Sequence, residues 1–454
     1  MNDGEGYPRH PVGRAAPVSS GHPAAAPAYP SPGGVPPQFG AAPVGAPAPG
    51  TAGVPAPSTT DDAGVRAVRR PGHLGSLSTG QILVAEAAVV LAVAAATRGP
   101  VPGLIAGAVA LLLVTLAFAR RRQRWWLEDR VIAWRYRRRR AAAVDRTTEP
   151  VLAALRTIAP GLTVREVSAP DGARVGVARD EAGWFSVVAL TPTAPVHAEG
   201  APVPLDALVG VLAATEQPGV VLQLVNHTVP APSLDVPSAS PAGASYQQLT
   251  SALSPIAVPA HRESSVAVRI DARSLAEALL DHHADAEAAA SLVASLGRRT
   301  ATSLRRLGIA CRVLDTQDLV AALARSCDVE PGGTGDGSPV HEEWSRWHSA
   351  QLLHRTFWLR TWPSSTAAIG ALFDRVAATP AAQTSMALVL DPSGGDDVAV
   401  RALIRLAARP DDDFAALERA LTEGVRRLGG DLQPLDGEQG PAAYATAPTG
   451  GGAG

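Results

Sequence analysis

The sequence predicts an α/β domain anchored to a membrane by a two-helix hairpin. Three observations carry the prediction: two apolar runs within 77–119, an arginine- and tryptophan-rich stretch at 120–146, and strand-like runs alternating with helical ones over 147–446. The chain has 454 residues and a formal net charge of −2, so any strongly cationic stretch is a local feature. Its two cysteines, Cys311 and Cys327, are too few for a disulfide framework and have no metal-ligand spacing around them. All forty basic residues are arginine. A GxxxxGKS/T phosphate loop and a Schiff-base lysine are therefore both excluded.

Residues 1–64 are proline-, alanine- and glycine-rich, with little to bury against the entropy of ordering; they read as a disordered spacer. A basic, turn-forming linker follows at 65–76. The first apolar run extends from Leu77 to Thr97 and the second from Val101 to Ala119, with TRGP between them. Each approaches the roughly 20 residues a helix needs to cross a bilayer core. The opposing reading is a buried soluble hairpin, favoured by the alanine content and by Glu86 inside the first run. Arg66, Arg69 and Arg70 before the pair and Arg120, Arg121, Arg122 and Arg124 after it, against Arg98 alone in the turn, favour two spans. By the positive-inside rule both ends, and the main domain with them, are cytoplasmic. Glu86 is then a candidate intramembrane polar contact, and Ala88, Ala92, Ala95 and Ala96 would allow close helix approach to a neighbouring membrane subunit.

RRRQRWWLEDRVIAWRYRRRR, 120–140, holds ten arginines, three tryptophans and a tyrosine. On a helix Leu127, Val131 and Trp134 share one face, with Trp125, Ile132 and Tyr136 beside them. Aromatic rings at headgroup level and arginines near anionic lipid make Arg120, Arg121, Arg122, Arg124, Trp125, Trp126, Trp134 and Tyr136 membrane-interface candidates on a collar helix. Nucleic acid is the weaker explanation of the same charges and is not expected as a partner.

Behind the collar, 172–191 reads as a strand hairpin, 219–229 as a buried strand, 230–245 as a loop and 264–271 as a strand. One or two long helices end at Gly308. A strand at 309–315, a helix at 318–327, a loop around EPGGTGDGSP and strands at 352–363 and 384–393 follow. The segment 397–409 suits a strand or a short helix, and DDDFAALERALTEGVRRLGG a capped helix. A last strand precedes a flexible tail at 447–454. The sheet should be mixed, and no internal repeat is visible.

The chemical motifs are thin. HEEWSRWH, 341–348, resembles HExxH, but Ser345 stands where the second histidine belongs. His341 and His348, seven apart, would share a helix face, yet no metal is expected there. DHHADAE at 281–287 reads as a polar helix turn. Asp411, Asp412 and Asp413 match a DxD cation pattern but also sit where acids cap a helix. No GxGxxG or GxSxG element occurs.

RWWLEDRVIAWRYRRRR, RRTATSLRRLGIACRVLDTQDLVAAL (298–323) and above all EEWSRWHSAQLLHRTFWLRTWP (342–363) resemble EccE, a membrane component of the actinobacterial type VII (ESX) secretion system. The resemblance runs in order over about 74–445, with 195–262 matching by position alone. It implies a non-enzymatic assembly subunit beside EccB, EccC and EccD, in a complex that exports WXG100-type substrates with energy from EccC. It also implies a degenerate glycosyltransferase-like α/β fold, no cofactor and no small-molecule substrate. Trp344, Trp347, His354, Phe357, Trp358, Trp362 and Pro363 become structural or docking residues. The competing function is a membrane-anchored glycosyltransferase-like enzyme at the cytoplasmic leaflet, using Asp411 to Asp413.

Overall fold

The computed structural model describes residues 65–67, 73–74, 77–121, 124–141, 149–169, 171–191, 203–215, 217–230, 240–253, 259–280, 286–329, 340–392 and 398–452. The proposed 1–64 spacer lies outside them, as do most of DHHADAE and the EPGGTGDGSP loop. Short strands β1 (Val65–Ala67), β2 (His73–Leu74) and β3 (Leu77–Ser78) lead into helices α1 (Thr79–Ala96) and α2 (Pro100–Ala117). A small ladder of β4 (Arg120–Arg121) with β5 (Arg124–Trp125) then interrupts the path to the collar helix α3 (Trp126–Ala141), so the collar does not continue straight from α2.

The apolar pair has its large side chains outside and its small ones inside. Ala88 and Ala117 are buried, and a Cβ on Gly103 would lie 3.0 Å from the Ala96 backbone. Leu83, Val90, Leu91, Val101, Leu104, Ile105 and Leu111 are all exposed. At the base, Gln81 Nε2 donates to the Ala117 carbonyl at 2.8 Å, satisfying a carbonyl at the end of α2. Ala88 and Ala96 thus serve contact between α1 and α2, where the sequence assigned them to a neighbouring subunit. Among the described residues one helix, Pro100–Ala117, is long and apolar enough to cross a membrane; the apolar part of α1, Gln81–Ala96, is shorter.

The first half of the main domain contains α4 (Pro150–Ile158), β6 (Thr163–Ser168), β7 (Arg174–Arg179), β8 (Gly183–Leu190), α5 (Leu205–Ala213) and β9 (Val220–Pro230). It continues with α6 (Pro241–Leu253), β10 (Pro259–Asp271), α7 (Ala272–Leu280), α8 (Ala286–Arg306), β11 (Cys311–Val313) and α9 (Thr316–Cys327). The second half contains β12 (His341–Glu342), β13 (Trp347–His348), β14 (Leu353–Thr361), α10 (Thr366–Ala377) and β15 (Gln383–Pro392). Then come β16 (Val398–Ala408), α11 (Phe414–Arg427), β17 (Asp431–Pro434) and α12 (Gln439–Ala445). The expected strands and the Gly308 stop are present, Gly308 having φ +80°. Helix α6 starts inside the expected 230–245 loop, and 397–409 is a strand.

All the main strands form one sheet in the order β12-β13-β14-β16-β15-β9-β10-β8-β7-β6, with β11 on β8, β17 on β14 and β1 on β16. Among the described pairings only β1 with β16 is parallel. The sheet is therefore mixed by one strand and otherwise antiparallel, and nothing in it supports a glycosyltransferase-like layout.

The strand order shows a repeat that is not visible in the sequence. From the middle outward one side reads β9-β10-β8-β7-β6 and the other β15-β16-β14-β13-β12, the same connectivity twice. Each half places a helix between its third and fourth strands (α5, α10), helices after its fifth strand (α7 and α8, α11), and a short strand back onto its third strand. The halves meet along the β9–β15 ladder, where Leu224 pairs with Leu388. Helices cover both faces. The larger core contains Leu296 and Leu304 of α8, Leu372 and Phe373 of α10, and Phe414 and Leu421 of the α11 region. On the other face Leu155 of α4, Leu319 and Leu323 of α9, and Tyr444 of α12 meet Phe185, Val187 and Trp347.

The glycine-rich end is packed, where the sequence expects a flexible tail. Ala447 and Thr449 are fully buried. Gln223 Oε1 accepts from the Thr449 and Gly450 amides at 3.0 and 2.7 Å, and Gln223 Nε2 donates to Ala445 O at 2.7 Å. Arg269 Nε donates to Thr449 O at 2.8 Å. Truncation after Ala445 leaves Gln223 Oε1 and Arg269 Nε without these partners, each costing about 1–3 kcal/mol unless water enters. We expect such a truncation to lower the urea midpoint clearly with an unchanged α1–α2 pair; an unaltered midpoint refutes this account of the tail.

Candidate functional site

The collar is a docked helix. The face made by Ile132, Tyr136 and Arg139, spaced i, i+4 and i+7, turns toward the main domain, with Ile132 buried. Tyr136 meets the Trp344 ring edge-on with centroids 5.5 Å apart. Arg139 makes a two-pronged contact with Glu342, Nε to Oε2 at 3.2 Å and Nη2 to Oε1 at 3.1 Å, and Nη2 also donates to Gly437 O at 2.6 Å. Glu342 Oε1 accepts further from the Gly440 amide at 3.1 Å. Such a planar charge-assisted pair fixes orientation as well as position. Gly437, at φ +80°, has no room for a side chain: a Cβ would stand 2.6 Å from Ile132 Cγ2 and 2.7 Å from Trp344 Cζ3.

This placement corrects the interfacial assignment of Tyr136, which faces protein. Val131 and Trp134 remain exposed on the outer face, with Arg138 over the Trp134 ring at 5.6 Å and Arg130 over the Trp126 ring at 5.2 Å. Arg120, Arg121, Arg124 and Trp125 lie in the β4–β5 ladder; Arg122 falls outside the described residues. Glu86 is exposed on α1. We expect Trp344→Ala to remove roughly 0.5–1.5 kcal/mol of aromatic contact. Amide exchange over 126–141 should then accelerate while the domain core is unaffected, and unchanged exchange contradicts the docking.

The remaining motif residues divide between core and surface. Trp347, His354 and Phe357 are buried, as are Trp358 and Pro363, whereas Trp344 and Trp362 are half-buried. Trp347 and His354 face each other across the β13–β14 ladder, 4.7 Å between ring centroids. The aspartate triplet acts as a cap: Asp413 accepts from the Ala416 amide at 3.0 Å and Asp412 from the Arg409 amide at 2.8 Å.

His341 and His348 come together on a hairpin, where the sequence suggested a helix. They are directly opposed in the β12–β13 pairing, their rings stacked at 4.1 Å with 18° between planes. Glu343 Oε1 lies 3.1 Å from His348 Nε2 and 3.9 Å from His341 Nε2.

Beneath the seam lies a buried polar cluster for which the sequence offers no periodic signal. Arg405 is fully buried and donates to the Ser326 carbonyl, to Ala443 O at 3.3 Å and to Ser385 Oγ at 3.0 Å. Ser385 Oγ also contacts His227 Nδ1 at 2.9 Å. Burial, aided by the Arg405 charge, pulls His227 down to about 3 and holds His354 well below its ordinary range. Burial also raises Cys327 to about 11, leaving a thiol rather than a reactive thiolate at neutral pH. A second buried group joins Asp180 to the Arg269 guanidinium and to the Tyr444 hydroxyl at 2.9 Å. The two arginines act reciprocally, since Arg405 of the second half holds the end of α9 and Arg269 of the first holds the segment after α12.

The family model for EccE, described as "Putative type VII ESX secretion system translocon, EccE", matches residues 258–359. Over that segment the chain is EccE-like. The EccE match runs from the start of β10 through α7, α8, β11 and α9 into β14, and so includes Trp344, Trp347, His354, Phe357 and Trp358. No curated protein matches the chain.

Proposed function

We propose that this EccE-like chain is a non-enzymatic structural subunit of a type VII secretion complex in the inner membrane, supporting export of WXG100-type substrates beside EccB, EccC and EccD. The observation that carries the reading is the docked collar, which fixes an apolar helix pair to a large α/β domain through Arg139, Tyr136 and Trp344. An assembly subunit needs such a rigid joint between its membrane and cytosolic parts. In this reading α1 and α2 both span the bilayer, α1 short enough to require local thinning or flanking residues at its ends. Both termini and the main domain face the cytoplasm, and Trp134 with the outer arginines of α3 lies against lipid headgroups. The outward large residues of the pair support this, because lipid replaces water around them without requiring a protein cover.

The test is gentle detergent extraction of native membranes with the chain tagged, then native sizing and identification of co-purifying chains. Recovery in a very large assembly with a channel-like subunit and an ATPase is the expected result; a small detergent-bound monomer or dimer overturns the reading. Glu86→Leu should leave insertion intact and weaken recovery of that assembly, and undiminished recovery removes Glu86 from the contact.

A further inference from the structure

We propose that His341, Glu343 and His348 form a binding site for one divalent ion of the zinc class, which staples the β12–β13 hairpin carrying Trp344. The strand register puts both imidazoles on one side of the hairpin, and alternation puts Glu343 there as well. All three ligand atoms lie within 4.8 Å of one another. A zinc ion with bonds of about 2.0–2.2 Å needs them somewhat closer, a closure that rotation of the two outer side chains supplies. Glu342, on the opposite side, is engaged by Arg139 and the Gly440 amide and is not part of the cluster.

An ordinary histidine–glutamate ion pair explains the cluster less well. His348 Nε2 is buried and makes no hydrogen bond; Glu343 Oε1 is near it but outside hydrogen-bonding geometry. In the tautomer with the proton on Nδ1, this buried Nε2 offers its lone pair to a metal. Two imidazoles and one carboxylate, with a fourth position open to solvent, is a donor set that suits zinc and not magnesium or calcium. The hairpin turn closed by Glu343 N to Arg346 O at 2.8 Å holds Trp344 at its tip. A bound ion would therefore stiffen the surface on which the collar sits.

The experiment uses the full-length protein in detergent, purified without a histidine tag, stripped with a chelator and titrated with Zn²⁺ against a chromophoric competitor. One equivalent should bind, and His341→Gln or His348→Gln should weaken binding by about tenfold or more. Glu343→Gln, at an exposed carboxylate, should weaken it as well, so a histidine variant that fails to fold does not leave the question open. Zinc should also slow amide exchange over 126–141. No competitive binding by the wild-type chain, or equal binding by Glu343→Gln and by the double histidine variant, overturns the site. Binding without any change in collar exchange overturns the staple.

Discussion

Arg405→Ala is expected to remove about 3–5 kcal/mol of stability, the sum of orphaned buried acceptors at about 1–3 kcal/mol each and of the cavity left behind. The side chain is fully enclosed, so the substitution opens a cavity as well as orphaning Ser326 O, Ala443 O and Ser385 Oγ. Arg405→Met separates the two contributions. It keeps most of the volume and relieves the cost of burying a cation, while still leaving the acceptors unpaired. Methionine should therefore cost less than alanine. Urea midpoints of the wild type and both variants, measured in the same detergent, provide the comparison; an alanine variant as stable as the wild type contradicts the assigned role.

Acidification should produce the second large effect. His227 titrates near 3 in the folded chain against an ordinary 6.5, with burial as the main cause and Arg405 the next. Between those values the unfolded chain holds a proton that the folded chain lacks, so unfolding takes up protons and stability falls as pH falls. At pH 5 the loss from His227 alone is about 2 kcal/mol relative to neutral pH. His354, shifted in the same direction by burial first and Arg405 second, adds to it. Asp328 opposes the trend at lower pH, because burial raises its carboxyl and the folded chain then accepts the proton more readily. Urea midpoints from pH 7.5 to 4.5 test this, and His227→Gln should flatten the curve. Arg405→Met should flatten it partly, having removed one of the charges that depress His227. A wild-type curve flat across that range contradicts the linkage.

The difference between what the sequence shows and what it hides follows from locality. The apolar runs, the strand at 220–230, the Gly308 stop and the Asp413 cap are each specified by a few adjacent residues. Helix α10 carried a readable cue as well, Ser365 accepting from the Ala368 amide, although alanines and a glycine dilute its pattern. The collar was ambiguous for a physical reason. Val131 with Trp134 and Ile132 with Tyr136 define adjacent faces of one helix, and periodicity does not say which meets protein. Contacts some two hundred positions away decide it, Arg139 with Glu342 and Tyr136 with Trp344. His341 and His348 stayed hidden because a separation of seven was read with helical geometry, whereas a four-residue turn places them side by side. The duplicated topology left no trace because its halves share connectivity and not residue types.

That duplication has a consequence for how the chain is made. Arg269 finds Thr449 O only 180 residues further along, and the Asp180 carboxylate it pairs with waits 264 residues for the Tyr444 hydroxyl. During synthesis the first half therefore emerges with an ion pair still short of partners and a seam strand, β9, still waiting for β15. The apolar helix pair, by contrast, is complete long before. The order of manufacture is the apolar helix pair first and the two halves of the sheet together at the close, with the collar docking only once Glu342, Trp344 and Gly437 have emerged. A nascent chain stalled between the halves would carry an unpaired β9 edge, the kind of surface that other strands add to.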